Sequence, residues 1–190
     1  MAKRTAREQL VVGAADMLGR RGLRATSVRE LAKHSGAPLG STYHYFPGGK
    51  TQVAVEAVEF ADALTMRVLG DALSADGPVG GLGRFVNMWR DVVVNSDFRA
   101  GCPVLAVSVE EPDDDDAPLQ AAARAFERWT DLLAESLRMH GAEDDTAQRT
   151  AILIVASIEG TVAMCRAQRS TAPLDRTADA LEHLVRSIID

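Results

Sequence analysis

Residues 26–50 read TSVRELAKHSGAPLGSTYHYFPGGK, and this stretch leaves little choice of structure. Ser27 and Glu30 make the S-x-x-E of a capping box, in which each side chain satisfies the other residue's backbone N–H. A helix therefore starts at Ser27, with Val28, Leu31 and Ala32 as its buried face. Gly36 supplies the positive φ that a tight corner between helices often needs. Pro38 suits the first turn of the next helix, where its missing N–H has no partner to lose. Pro47-Gly48-Gly49 stops that helix after Phe46. Upstream, Leu10, Val11, Ala14, Met17 and Leu18 recur at helical spacing from about Thr5 to Arg21, and Gly22 marks the end. Ala32, Gly36 and Thr42 fall at the small, glycine and buried positions of a helix-turn-helix. Thr42 is more polar than that last position usually carries.

The rest of the chain is helical by period. A fourth helix is expected over about 50–73, with Val53, Ala57, Phe60, Ala61 and Leu64 on one face. Ser74 to Gly81 has the composition of a loop. Helix five comes next, over about 82–95, with Phe85, Met88, Trp89 and Val92 at i, i+3, i+4 and i+7. After Gly101-Cys102-Pro103 comes a short apolar helix, Val104 to Val109, and then an acidic loop from Pro112 to Pro118. A seventh helix, Ala117 to His140, carries the stripe Leu119, Ala122, Phe126, Trp129, Leu133 and Leu137. The eighth, Asp144 to Gln168, is apolar nearly all round between Ala151 and Met164. The ninth, Pro173 to Ile189, repeats Leu174, Ala178, Leu181, Val185 and Ile188. A helix that is apolar on most sides needs cover on most sides, and a twofold partner over helices eight and nine supplies it. No strand period and no internal repeat is visible. The expected fold is all-α with about nine helices. Residues 1–50 form a three-helix helix-turn-helix head, residues 51–190 a helical bundle, and the fourth helix connects them.

Charge separates the same two regions. The whole chain has a formal net charge of −6. Its first 50 residues carry nine Lys/Arg against three acids, and all three lysines of the protein lie there. A basic head on an acidic body is the asymmetry of a chain whose one end meets phosphates. With 46% hydrophobic residues, the chain can bury a sizeable core, which excludes wholesale disorder. The longest apolar stretch, 151–165, is interrupted by Glu159 and Gly160, so a buried helix explains it better than a membrane span. No secretory leader pattern opens the sequence, and Cys102 and Cys165 are not spaced as a ligand pair. Free thiols in the cytoplasm are the expectation.

These features together resemble the tetracycline-repressor (TetR) family of transcriptional regulators. The match is densest over residues 10–60, and the architecture is similar over the whole length. Phe-Pro-Gly-Gly-Lys (46–50), one residue longer in its turn than most members, and Gly-Cys-Pro-Val (101–104) are similar to the lincomycin-resistance repressor (LmrA/YxaF-type) branch. The resemblance implies a homodimer that represses neighbouring genes. It also implies release from a double-stranded DNA operator when a small molecule enters the C-terminal domain. By the family's pattern Tyr43 contacts base or phosphate, and Tyr45 and Lys50 grip phosphate. Many relatives carry a basic residue where this chain has Leu39, and apolar contact with a thymine methyl is the available substitute.

The residues themselves point the same way. The start of the third helix should enter a major groove. There Gly40 permits close approach, Ser41 offers a hydroxyl, and Tyr43, His44 and Tyr45 combine flat apolar surfaces with polar tips. Thr26 and Ser27, at an open helix N-terminus, can present hydroxyl and N–H groups to a phosphate. The alternative for these aromatics is that they close a small three-helix core, which is the role expected of Phe46. For an effector, Phe85, Met88, Trp89, Cys102, Phe126, Trp129, Thr161 and Met164 are the candidates, as bulky and flexible side chains with few polar groups. Ordinary core packing is their alternative. Glu159 in its apolar run needs a polar group on a ligand, Arg166 or a residue of a partner chain to pair with.

No catalytic or metal site is expected. The acids 113–116 cannot all converge on one ion, and no calcium-loop spacing accompanies them. His34, His44, His140 and His183 are scattered, and no nucleophile elbow, phosphate loop or dinucleotide glycine pattern is present. No cofactor is implied. The reading is a repressor released by a small hydrophobic or aromatic ligand. Its rivals are a constitutive or architectural DNA-binding regulator and, more remotely, a helical enzyme assembled from distant residues such as Cys102, Glu159 and His140.

Overall fold

The computed structural model describes residues 5–111 and 115–189. Among these residues there are eight α-helices and no strand. They are α1 Ala6–Arg21, α2 Val28–His34, α3 Leu39–Tyr45, α4 Gly49–Asn95, α5 Pro103–Ser108, α6 Ala117–Met139, α7 Asp144–Gln168 and α8 Ala172–Ile188.

The local signals for helix ends act where side chains can reach orphan backbone groups. Thr5 Oγ1 accepts from Glu8 N–H, and Glu8 Oε2 accepts from Thr5 N–H at 2.7 Å, a complete capping box on α1. Ser27 Oγ accepts from Glu30 N–H at 3.1 Å, while the Glu30 carboxylate lies 3.9 Å from Arg21. Glu143 caps α7 by accepting from Thr146 N–H. Those backbone hydrogen bonds, from Thr146 and then Asp145, hold its carboxyl below the usual range.

The expected loop over 74–81 is not a loop. Helix continues through it and breaks at one residue, Gly77, with φ 66° and ψ −170°. Pro78 restarts the helix where its lack of an N–H costs nothing. Gly80 and Gly81 serve the same break by close approach. A Cβ on Gly80 would sit 2.2 Å from Asp76 Cβ, and one on Gly81 2.3 Å from Leu73 Cδ2. The expected fourth and fifth helices therefore meet directly at this kink with no loop between them, and are numbered together as α4.

The chain divides into two compact units. The first takes Met1–Asp62 with Cys102–Ala125, and the second Ala63–Gly101 with Phe126–Asp190. In the first, α1 packs against α2, α3 and α5, and the core includes Leu10, Met17, Leu18, Leu31, Phe46, Val58 and Val104. In the second, α7 packs along α8, and Leu69, Phe85, Trp129, Leu133, Ile154, Ile158 and Val185 are buried. Part of the expected acidic loop, residues 112–114, lies outside the described residues. Asp115 and Asp116 are exposed, and Asp115 Oδ1 accepts from Ala117 N–H at the start of α6.

Candidate nucleic-acid interface and effector site

Helices α2 and α3 meet at a corner made by Gly36, whose φ is 64°. The α3 helix is fixed from one side only. Thr42 is fully buried and its hydroxyl donates to Pro38 O at 3.1 Å, which answers the question of how a polar residue sits at that position. Phe46, just past the helix end, is also fully buried, with the Arg7 guanidinium 5.6 Å from its ring centroid. Arg7 in turn reaches Glu56 on α4 at 2.6 Å.

With Thr42 and Phe46 turned inward, the opposite face of α3 is left to solvent. Leu39, Gly40, Ser41, Tyr43 and His44 are all exposed, Tyr43 by 53%. Nothing lies within 4 Å of where a Gly40 Cβ would be, so the backbone there is open to close approach. His44 and Tyr45 rings meet edge-to-face at 5.7 Å, and Tyr45 and Lys50 are half-buried at the margin. Ser27 is exposed, with its hydroxyl oxygen capping α2. Thr26 is not: it is buried, and its hydroxyl donates to Gly22 O at 2.8 Å. Its short side chain finds an acceptor one turn back, so Thr26 shapes the corner instead of presenting a hydroxyl.

Several of the basic side chains of the head are already engaged. Arg20 is held by Asp16 at 2.8 Å, and Asp16 also meets His34 Nε2 at 3.1 Å. Arg24 reaches Glu111 at 3.2 Å. Arg29 and Lys33, both exposed on α2, carry no ion pair among the described residues.

The expected effector residues separate into four groups. Phe85, Trp89, Phe126 and Trp129 gather in the second unit as edge-to-face aromatic contacts at 5.5–6.4 Å, with Met88 half-buried beside Trp89 in α4. Phe85 and Trp129 are fully buried in this cluster. The buried Trp89 Nε1 has no hydrogen-bond partner among the described residues. Glu159 and Thr161 are buried on α7, where Thr161 Oγ1 donates to Ser157 O and meets Thr177 Oγ1 of α8 at 3.2 Å. Met164 is 50% exposed on α7, away from that core. Cys102 belongs to the first unit, where its sulfur caps α5 by accepting from Leu105 N–H. Burial pushes the second thiol, Cys165, above its usual range.

Sequence reading missed a groove of about 220 Å³ between α4 and α6 in the second unit. Met66, Leu73, Leu132 and Met139 wall it, Gly70 opens one side, and the buried Ser136 Oγ has no partner among the described residues. Arg67, Asp71 and Glu135 stand at its exposed rim. Its signal in the sequence was one small residue on each of two helices, which no periodicity argument distinguishes from surface. No group of His, Cys, Asp or Glu suited to a metal ion is present among the described residues.

Comparison with known proteins places these features. Residues 10–57 match the family model of bacterial regulatory proteins of the tetR family, and residues 78–180 match the C-terminal domain model of LmrA/YxaF-like transcriptional regulators. An uncharacterized HTH-type transcriptional regulator of Mycobacterium tuberculosis is 40% identical over 184 residues, covering 94% of this chain and 93% of the relative. The HTH-type transcriptional regulator LmrA of Bacillus subtilis is 26% identical over 181 residues, covering 95% and 96%. Among solved structures, a TetR transcriptional regulator from Legionella pneumophila superposes with a TM-score of 0.86 at 17% identity over the whole of both chains. A regulatory protein TetR from Rhodobacter sphaeroides does so with 0.84 at 22% identity, over 94% of this chain and 98% of that one.

Proposed function

Because the chain belongs to the TetR family of bacterial regulatory proteins, we propose that this DNA-binding regulator is a homodimeric repressor released from its operator by a small molecule. Residues 1–50 are its DNA-binding head and residues 51–190 its effector and dimerisation region. The observation that carries the reading is the two-sided α3: Thr42 is turned into the core while Leu39, Gly40, Ser41, Tyr43 and His44 face outward. That face enters the major groove, Tyr45, Lys50 and Ser27 hold the flanking phosphates, and Arg29 and Lys33 add unpaired positive charge.

Dimerisation is the role of α7 and α8, the eighth and ninth helices of the sequence reading. Ile152, Ala156, Gly160, Ala163 and Met164 lie exposed along α7 at helical spacing, and Ile152, Leu153 and Met164 are each about half-exposed. Small residues between larger apolar ones let a second helix come close, and a twofold axis buries the same stripe on both copies. Two heads about 34–36 Å apart then reach successive major grooves. The working place is the cytoplasm, where the operator is.

The effector reading has two supports. Trp89 Nε1 is a buried donor that a ligand acceptor would satisfy. The α4–α6 groove offers the apolar walls and the few hydroxyls, Ser74 and Ser136, of a small-molecule site. At about 220 Å³ the groove is smaller than the ~300 Å³ at which such pockets usually begin, so a larger ligand must displace Met66 or Met139, the most adaptable of its walls. A constitutive regulator is the second reading, favoured by the full burial of Phe85 and Trp129 against one another. The test is selection of DNA by the full-length chain from a random pool, then affinity at two salt concentrations and a screen for compounds that release it. A palindromic, salt-sensitive site released by a compound supports the proposal. A site that no compound releases favours the constitutive regulator, and failure to select DNA refutes both.

A further inference from the structure

The corner between α1 and α2 is held by a residue far along the chain. Glu110, two residues past the end of α5, accepts from Leu23 N–H through Oε1 and from Arg24 N–H through Oε2, each at 2.7 Å. Consecutive backbone N–H groups aimed at one carboxylate make an anion-binding concavity. Hydrogen bonds to an ionised acceptor are roughly twice as strong as neutral ones. Gly22 is what admits the carboxylate: its φ is 77°, and a Cβ there would lie 2.0 Å from Glu110 Oε1. Leu23 is buried beside the clamp, with Val107 of α5 and Pro118 and Leu119 of α6 around a void of about 10 Å³, room for at most one water. Arg24 adds its ion pair to Glu111. The same corner sets the start of α2. Thr26 N–H donates to Leu23 O at 3.0 Å and its hydroxyl donates to Gly22 O, and the adjoining Ser27 is the N-cap of α2.

We propose that Glu110 is a positioning residue through which α5 controls the DNA-binding helices. This rests on the DNA-binding reading above and adds the point at which that activity is regulated. While the carboxylate grips both amides, the corner, Ser27 and the start of α2 are fixed relative to α1. When α5 is drawn away the two amides lose their acceptor together, and the corner is free to move. The device is specific for a carboxylate. A carboxamide accepts through one oxygen only and turns an NH₂ donor toward the second amide, so glutamine cannot replace glutamate here.

The test uses the full-length chain with Glu110→Gln and Glu110→Ala. Backbone amide exchange is read by NMR without DNA, and affinity is read on the DNA that the wild-type chain selects from a random pool. Both variants are expected to speed exchange at Leu23 and Arg24 by about tenfold or more, the worth of losing a charge-assisted bond at a partly buried site. The amide of the buried Leu18 should stay at its wild-type rate, which shows that the head is still folded. Operator affinity should fall by about tenfold in both variants. Three results would overturn the proposal: Leu23 and Arg24 protected as before, exchange raised equally at Leu18, or affinity unchanged with the two amides released. A wild-type chain that selects no DNA overturns the DNA-binding reading and the control function with it. The exchange data, read without DNA, tell that case apart from failure of the clamp alone.

Discussion

Phe46 and Tyr43 lie three residues apart and should respond to the same substitution in opposite ways. Phe46 is 0% exposed, so Phe46→Ala removes a fully buried ring and leaves a cavity, a change that costs about 3–5 kcal/mol. The Arg7 guanidinium also loses its ring, worth about 0.5–1 kcal/mol at a site as exposed as this one. Against a typical total of about 5–15 kcal/mol, that loss takes roughly a quarter or more of the stability of the unit. Tyr43 is 53% exposed, and Tyr43→Ala should change stability by no more than about 0.5 kcal/mol. Its cost appears on DNA instead. A lost base-edge contact is worth about 1–3 kcal/mol, or roughly 5- to 150-fold in affinity. Trp89 and Trp129 both lie in the second unit, so tryptophan emission follows that unit while helical circular dichroism follows both, and the difference reports the first. Operator affinity by fluorescence anisotropy at one fixed salt completes the experiment. If Tyr43→Ala lowered stability by more than about 1 kcal/mol, or left affinity within twofold, the division of α3 into a core side and a DNA side would be wrong.

Other measurements bear on separate parts of the molecule. Arg29→Ala with Lys33→Ala should flatten the dependence of log affinity on log salt by about 0.9 for each phosphate contact removed, whereas Arg20→Ala, whose guanidinium is held by Asp16, should change that slope little. Ile152→Asp on α7, at a site 53% exposed within one chain, should convert a dimer to a folded monomer in sedimentation with helix content retained. Gly77→Ala forces a Cβ onto a φ of 66° with ψ −170°, and to 3.2 Å from His140 Nε2, and thermal unfolding should report a loss of about 1–3 kcal/mol. The depressed Glu143 carboxyl stabilises the fold above the ordinary carboxylate range. That contribution is lost as pH falls through that range toward its lowered value, and Glu143→Gln should flatten the acid limb of a stability–pH curve.

What could be seen in the sequence was whatever is decided within a few residues. Capping at Ser27, the corner at Gly36, the stop after Phe46 and the apolar stripes of α6 and α8 are local events with local signals. The misreading at 74–81 has the same origin. Gly and Pro have the composition of a loop, but here one Gly sets a single positive φ and two more let neighbouring turns approach to within side-chain distance. Thr26 deceives because a hydroxyl near a helix N-terminus can serve a phosphate or its own backbone, and only the position of Gly22 O decides. Glu110 could not have been found at all. Its partners are 86 and 87 residues away, and nothing in a run of acids says which one turns inward.

The first unit is assembled from two separated pieces of chain, Met1–Asp62 and Cys102–Ala125, and the consequence is one of engineering and descent. A compact unit that ended at one peptide bond could be moved between regulators by one recombination. This one cannot, because a transplant that carried only the N-terminal piece would leave behind Val104, Val107 and Glu110. A working chimera would need junctions at three places, after Asp62, before Cys102 and after Ala125. On the proposed reading, new operator specificity is therefore more readily gained by substitution on the exposed face of α3 than by exchange of whole units.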